Sequence, residues 1–250
     1  RLPGGLRLQP AEFAKLAVVI VVSVWMEKVA WQVDKFKKGA FIPMCLIGAF
    51  AVPVLLEPDF GSMIVLSAAG VLVMFVAGSK IMHMVPFGVL GAICVGYKLL
   101  TNGNRMMRIA AKFGFKLDIG AQVSDVAVDN AAYQAKQALV AMSNGGLWGV
   151  GLGQSMQKHY YLPEAHTDFI FAIGAEELGL VFSVSVLVLF CLFFALSVYI
   201  AAKASDRLGK FLVVGMAFLI FFQAIFNIGM VCDAYITKGM ALPFFSYGGT

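Results

Sequence analysis

The chain has 250 residues, of which 60% are hydrophobic and 13% charged, and its formal net charge is +5. Soluble domains carry charge on about one quarter of their residues. The composition therefore excludes a soluble enzyme and predicts an all-α, polytopic membrane protein. The positive charge requires no nucleic acid partner, because basic residues at membrane borders and contacts with anionic lipids or phosphates account for it equally well.

Apolar segments predict six transmembrane helices, at about residues 11–26, 40–56, 60–77, 82–100, 167–203 and 211–232. Glu57-Pro58-Asp59 separates the second from the third, and Asp59 can cap the third. The fifth segment exceeds the ~20 residues that span a bilayer, so we expect it to tilt or project. The chain starts without Met and stops directly after a glycine pair, so we expect a piece of a longer transmembrane domain, here treated as one domain over residues 1–250.

Residues 101–166 form a polar connection that is too long for an ordinary loop, and such segments usually carry function. Within it we predict a short helix at residues 131–142 and a flexible glycine-rich turn at residues 145–153. The turn lacks the final Lys-Ser/Thr of a P-loop and therefore gives no indication of nucleotide binding.

The charges of the short loops predict the orientation. Basic residues lie in the loops between helices one and two, three and four, and five and six, which alternate onto one side of the membrane. An excess of Lys and Arg is typical of the cytoplasmic side. The long loop and Asp168 then lie on the outer side.

Asp168 stands at the mouth of the longest apolar segment, between Pro163 and Phe169. A carboxylate there is costly without a partner or a task. It can act as a general base, or as an N-terminal helix acid stabilised by the helix dipole. His166 can be a base, a metal ligand or a hydrogen-bonded structural residue, and Thr167 or His166 can cap the helix. For the deeper pair, Glu176 and Glu177, a structural pairing is the better interpretation.

A second group of charges falls on the predicted outer side. Glu12 and Lys15 are three residues apart and share a helix face, where they can form a structural ion pair or bind an anion. Arg7 and Lys238 can each be an interfacial anchor or an anion-binding residue. Basic groups suit a pyrophosphate, and a carboxylate suits deprotonation of a sugar hydroxyl.

Five motifs in the chain together resemble the SEDS family (shape, elongation, division and sporulation) of bacterial cell-wall polymerases. They occupy residues 8–15, 57–62, 143–153, 161–177 and 242–249, in family order and over essentially the whole chain. The most specific string is Leu-Pro-Glu-Ala-His-Thr-Asp-Phe at residues 162–169. Its context, with Ala165, is more similar to the division branch of the family than to the elongation branch.

The resemblance implies ten membrane helices in the whole protein, of which this piece lacks the first three and most of the last. It implies a multi-pass protein of the bacterial cytoplasmic membrane that polymerises lipid II into glycan strands on the outer side and releases undecaprenyl pyrophosphate. By the same resemblance Asp168 is the catalytic base. Residues on the substrate or pyrophosphate side are then Arg7, Glu12, Lys15, His166, Thr167 and Lys238.

The resemblance also implies partners. These are a class B penicillin-binding transpeptidase, other division proteins and membrane lipids. It requires no resident cofactor, although a divalent cation such as Mg²⁺ or Mn²⁺ could assist at the pyrophosphate, and we assign no residue as a metal ligand. Two alternatives remain open at this point: a lipid II flippase with the same charged cavity, and a non-catalytic scaffold that activates a transpeptidase.

Overall fold

The computed structural model describes residues 9–56, 59–100, 125–160, 167–234 and 240–246. The α-helices are α1 (Pro10–Lys28), α2 (Ile42–Leu56), α3 (Phe60–Val76), α4 (Ile81–Leu100), α5 (Asp125–Gly145), α6 (Met156–Tyr160), α7 (Ile170–Lys203) and α8 (Arg207–Val231). A 3₁₀ turn (Ala30–Gln32) and a π-helical turn (Phe36–Phe41) precede α2. No β-strand occurs among the described residues, which confirms the all-α prediction.

Three helical segments are long and apolar enough to cross a membrane, and these are Phe36–Leu56, Ile170–Lys203 and Arg207–Val231. The apolar helices Phe60–Val76 and Ile81–Tyr97 are shorter. A membrane protein is therefore confirmed, whereas the predicted count of six spans is not.

The described residues divide into two compact units. One takes those in Arg1–Val89 and Leu189–Gln223, and the other takes those in Leu90–Val188 and Ala224–Tyr247. The prediction of a single transmembrane domain stays a prediction.

Small residues let the helices of the first unit approach closely. A β-carbon at Gly70 of α3 would lie 2.8 Å from the Ile47 side chain of α2 and 3.1 Å from Val18 of α1. A β-carbon at Gly215 of α8 would lie 2.6 Å from Val19. Close contact between small residues is the main packing device available to helices in lipid, where burial of apolar surface supplies little.

Contacts in the first unit also join the three basic loops. The Ser79 hydroxyl, in the loop before α4, donates to the Gly39 carbonyl at 2.7 Å. The Arg207 guanidinium, at the start of α8, lies 5.0 Å from the centre of the Trp31 ring. The prediction that these loops share one end of the helices is therefore supported by direct contacts.

Asp59 performs its predicted role as the cap of α3, since its Oδ1 accepts from the Ser62 backbone N–H at 3.1 Å. The end of α8 is capped without glycine. Asp233 adopts a left-handed conformation (φ +54°), and the Ala234 N–H returns to the Gly229 carbonyl at 2.8 Å. Asp is one of the few residues that tolerate this conformation.

The second unit contains a break that the sequence analysis did not predict. Residues 167–203 are not one tilted helix, because α7 begins at Ile170 and Gly179 interrupts it with φ +77° and ψ −169°. Residues 180–203 still form a helix of membrane length. The apolar segment is longer than a bilayer requires because it contains a break, and not only because it tilts.

The glycine-rich turn at residues 145–153 pairs with the backbone groups that this break releases. The N–H groups of Val150 and Gly151 donate to the carbonyls of Glu176 and Glu177, each at 3.0 Å. In the other direction, the Leu180 N–H donates to the Gly146 carbonyl at 2.9 Å. The predicted flexible turn is thus a docked segment. The predicted short helix before it is longer than expected, at Asp125–Gly145.

Two glycines make this docking possible. Gly149 has φ +80°, and a β-carbon there would overlap the Glu177 carbonyl. A β-carbon at Gly179 would overlap the Leu147 carbonyl. The glycines are required here by the approach of two backbones as well as by the positive φ.

We expect Gly149→Ala to destabilise the protein more than Gly153→Ala. Both sites have positive φ, so each substitution costs about 1–2 kcal/mol in strain. Only Gly149 faces a backbone, since a β-carbon at Gly153 meets nothing within 4 Å, and the overlap adds a further ~1–3 kcal/mol. Thermal unfolding of the purified variants measures the difference, and equal melting temperatures would contradict the docked arrangement.

Candidate active site

The turn that carries Asp168 is fixed through its backbone. Thr167 and Asp168 are partly exposed, and Phe169 is buried where α7 begins. The Asp168 carbonyl accepts from Asn227 Nδ2 of α8 at 2.9 Å. The Thr167 carbonyl accepts from the Ser246 hydroxyl at 2.6 Å. Two side chains distant in sequence therefore hold consecutive peptide groups of this turn.

Asn227 links the turn to a third segment. It is fully buried, and its Nδ2 also donates to the Met240 carbonyl at 2.6 Å. Ser246 Oγ, besides donating to Thr167, accepts from the Leu242 N–H at 2.7 Å. The turn, the end of α8 and residues 240–246 are thereby joined, and the position of the Asp168 backbone is set by groups outside its own helix.

The acids deeper in α7 are structurally paired, as predicted. Glu176 is buried and accepts a short hydrogen bond from the hydroxyl of Ser155, which is also buried. The Ser155 hydroxyl in turn accepts from the Lys158 N–H at 3.1 Å, and Lys158 Nζ lies 3.9 Å from Glu177 Oε1. These acids fix the start of α6 against α7.

In the first unit the structure brings Glu12 and Lys15 together. Lys15 Nζ lies 2.6 Å from Glu12 Oε1 and donates to Gln223 Oε1 of α8 at 2.8 Å. Lys15 is only 3% exposed, whereas the Glu12 side chain is 28% exposed. A buried ammonium needs both an opposite charge and further hydrogen bonds, and Glu12 and Gln223 supply them.

The sequence analysis missed Gln223 and Asn227. Both are polar residues inside the apolar helix α8, four residues apart and therefore on one helix face. Polar side chains in such a helix are expensive unless they have partners. That spacing was a usable signal of two hydrogen-bonding positions.

Arg7, His166 and Lys238, which the sequence analysis placed at the site, lie outside the described residues. Glu12 and Lys15 belong to the first unit, and Thr167 and Asp168 to the second. In the part of the chain that the structure describes, no three His, Cys, Asp or Glu side chains come together as a metal site would require. The catalytic and binding roles of all these residues stay predictions.

Comparison with known proteins decides the family. The family model described as cell cycle protein, which groups FtsW, RodA and SpoVE, matches residues 2–250. The chain belongs to this FtsW/RodA/SpoVE family. The SEDS resemblance drawn from the motifs is therefore confirmed.

The relatives favour the division branch of the FtsW/RodA/SpoVE family. The chain is 36% identical over 250 residues to a protein of Geobacter sp. (strain M18) named "Probable peptidoglycan glycosyltransferase FtsW", and covers 65% of it. It is 35% identical over 250 residues to "Stage V sporulation protein E" of Bacillus subtilis, again covering 65%. The alignments take in 100% and 99% of this chain, which thus spans less than two thirds of these relatives.

Two solved structures share the fold. One is a chain of a peptidoglycan synthase complex, with a TM-score of 0.68 and 23% identity, and this chain covers 67% of it. The other is a mutant of the Thermus thermophilus rod shape determining protein RodA, with a TM-score of 0.57 and 23% identity, of which 65% is covered. Both matches extend over the whole of the present chain.

We expect Asn227→Asp to destabilise the second unit strongly. The substitution keeps the shape but places an acceptor-only carboxylate against the carbonyls of Asp168 and Met240. Each buried carbonyl left without its donor costs about 1–3 kcal/mol. Asn144 is exposed, so Asn144→Asp is the matched control. It makes the same chemical change at the surface, where the free energy of unfolding should change by no more than ~0.5 kcal/mol. Equal losses of melting temperature in the two variants would contradict the role of the Asn227 hydrogen bonds in holding the Asp168 turn.

A double-mutant cycle tests the Lys15 network. Glu12→Gln removes the charge opposite a buried ammonium, and breaking a buried ion pair from one side costs about 3 kcal/mol or more. Adding Lys15→Met to Glu12→Gln removes the buried ammonium that the first substitution leaves without its carboxylate. The double variant should therefore unfold at a higher temperature than Glu12→Gln alone. Additive losses would show that the pair is not coupled.

Proposed function

We propose that the whole protein polymerises lipid II into peptidoglycan glycan strands, as an inverting glycosyltransferase with Asp168 as its base. The observation that carries the proposal is the fixed turn. Asp168 is a partly exposed acid whose peptide is held by Asn227 and whose neighbour is held by Ser246. Fixed placement of a catalytic group supplies much of the rate acceleration in group transfer. The names of the relatives supply the reaction class.

In this reaction the Asp168 carboxylate takes the proton of the 4-hydroxyl of the acceptor N-acetylglucosamine. The oxygen attacks the anomeric carbon of the donor N-acetylmuramic acid with inversion. The bond to the pyrophosphate breaks, and undecaprenyl pyrophosphate leaves with the electron pair. A carboxylate that acts as general base contributes ~10²–10⁴-fold to the rate.

The remaining predicted residues serve binding. Lys15, with Glu12 to orient it, supplies positive charge for the pyrophosphate, and Arg7 and Lys238 are assigned the same task. His166 and Thr167 are also assigned to binding of the substrate or its pyrophosphate. The proposal assigns no residue as a ligand of a divalent cation.

Orientation follows from the shared end of the basic loops. The loops that contain Trp31 and Ser79 contact Arg207 at the start of α8 and Gly39 before α2, and they carry the Lys and Arg that favour the cytoplasmic side. We assign Asp168 to the outer side, as the alternation of the short loop charges predicts. We place the protein in the bacterial cytoplasmic membrane, with a class B penicillin-binding transpeptidase and other division proteins as partners.

We expect full-length protein carrying Asp168→Asn to form strands from labelled lipid II ~10²–10⁴-fold more slowly than wild type. The protein is purified with its transpeptidase partner for this assay. Asp206→Asn is the matched control, because Asp206 caps α8 through the N–H groups of Leu208 and Gly209 and Asn caps equally well.

Other outcomes discriminate among the candidate functions. If Asp168→Asn forms strands at the wild-type rate, Asp168 is not the base and another residue performs that role. If competent partner and lipid give no strands even with wild type, polymerisation is contradicted. Lipid II transport would then indicate the flippase, and activation of the transpeptidase alone would indicate the scaffold.

A further inference from the structure

The docked segment at residues 145–153 presents an apolar surface that the proposed function does not use. Trp148 is 81% exposed, Leu152 75% and Leu147 62%, and Val150 is partly exposed beside them. Large apolar side chains exposed on a loop carry a cost in water. Their clustering on one segment requires a partner.

The segment is a rigid support for these side chains. Its backbone is paired with α7 on both sides of the break, and the Leu147 carbonyl accepts from the Val181 N–H at 3.4 Å. The Gly149 N–H also returns to the Gly145 carbonyl at 2.7 Å. The apolar side chains are therefore presented by an ordered backbone.

The surface is continuous with the lipid-facing side of α7. Leu147 pairs directly with Val181, and the exposed residues that follow along the helix include Leu180, Val181 and Val184, each about half exposed. In a helix of this hydropathy these side chains face hydrocarbon. Leu147 and Trp148 extend that face beyond the break.

Helix length places the segment at a definite depth. Residues 180–203 number 24, which corresponds to about 36 Å of helix against a hydrocarbon thickness of about 30 Å. A helix of this length that crosses the bilayer brings its first residues, beside Gly179, close to a membrane surface. Trp is enriched in this zone, where its ring meets the acyl chains and its N–H meets the headgroups.

We propose that residues 147–152 form an interfacial membrane anchor, in which Leu147, Trp148 and Leu152 insert among the phospholipid headgroups beside the break at Gly179. The anchor holds the docked segment, and through it the break in α7, at the membrane surface. This anchoring role is independent of the glycosyltransferase activity proposed above. The molecule that covers the surface is phospholipid rather than a partner protein.

The test measures the fluorescence emission of Trp148. This emission is obtained by subtracting the spectrum of Trp148→Phe from the spectrum of the wild type. The full-length protein is reconstituted in phosphatidylethanolamine–phosphatidylglycerol nanodiscs. Lipids with bromine near the headgroup end of the acyl chain should quench about half or more of this emission, more than lipids with bromine near the methyl end. Aqueous iodide should quench little of it.

Trp25→Phe gives the comparison tryptophan, since Trp25 is partly buried and its Nε1 donates to the Lys38 carbonyl at 3.0 Å. Emission from Trp148 that iodide quenches and bromine does not would overturn the proposal in favour of a solvated loop. Emission that neither quenches would overturn it in favour of a protein partner on this surface.

Discussion

Backbone groups that leave a helix inside or beside a membrane must find partners within the protein, because hydrocarbon offers none. The structure meets this requirement at two places in the second unit. At Gly179, where α7 breaks, the freed carbonyls of Glu176 and Glu177 and the freed N–H of Leu180 pair with the segment that follows α5. At the start of α7, the carbonyls of Thr167 and Asp168 are taken by Ser246 and Asn227. The arrangement of the second unit depends on these pairings.

The same requirement explains why the charges of the chain come in local groups. Lys15 is paired with Glu12 and also hydrogen-bonded to Gln223, and Glu176 accepts a hydrogen bond from the Ser155 hydroxyl. An unpaired charge at these depths would be expensive. At Asp168 the structure holds the backbone carbonyl through Asn227, and the residue is partly exposed.

How far the sequence predicts this structure depends on the range of the interactions involved. Local signals worked: hydropathy located the apolar helices to within a few residues, the Glu-Pro-Asp corner predicted the Asp59 cap, and loop charges grouped the three basic loops. The break at Gly179 was missed, because a glycine within an apolar run leaves no local signal of a change in direction. Its cause lies about 30 residues earlier, in a segment whose glycines suggested flexibility but which is docked.

In the candidate site, too, local features were predictable from the sequence and contacts between distant residues were not. Glu12 and Lys15 were predictable as a pair from their spacing, and Asp168 from its place at the mouth of an apolar segment and from family motifs. Asn227 holds Asp168 from 59 positions away, and no local pattern connects two such residues. The binding roles of Arg7, His166 and Lys238 stay predictions, because these three lie outside the described residues.

Amide hydrogen exchange of the reconstituted protein, followed by mass spectrometry, tests most directly whether the second unit is ordered by backbone pairing across the break. The account predicts that the amides of Val150, Gly151 and Leu180 exchange as slowly as those in the interior of α7, since each donates to a carbonyl across the break. Exchange of these amides at the rate of an unstructured loop would contradict it, because the docked segment would then be free and the break unsupported.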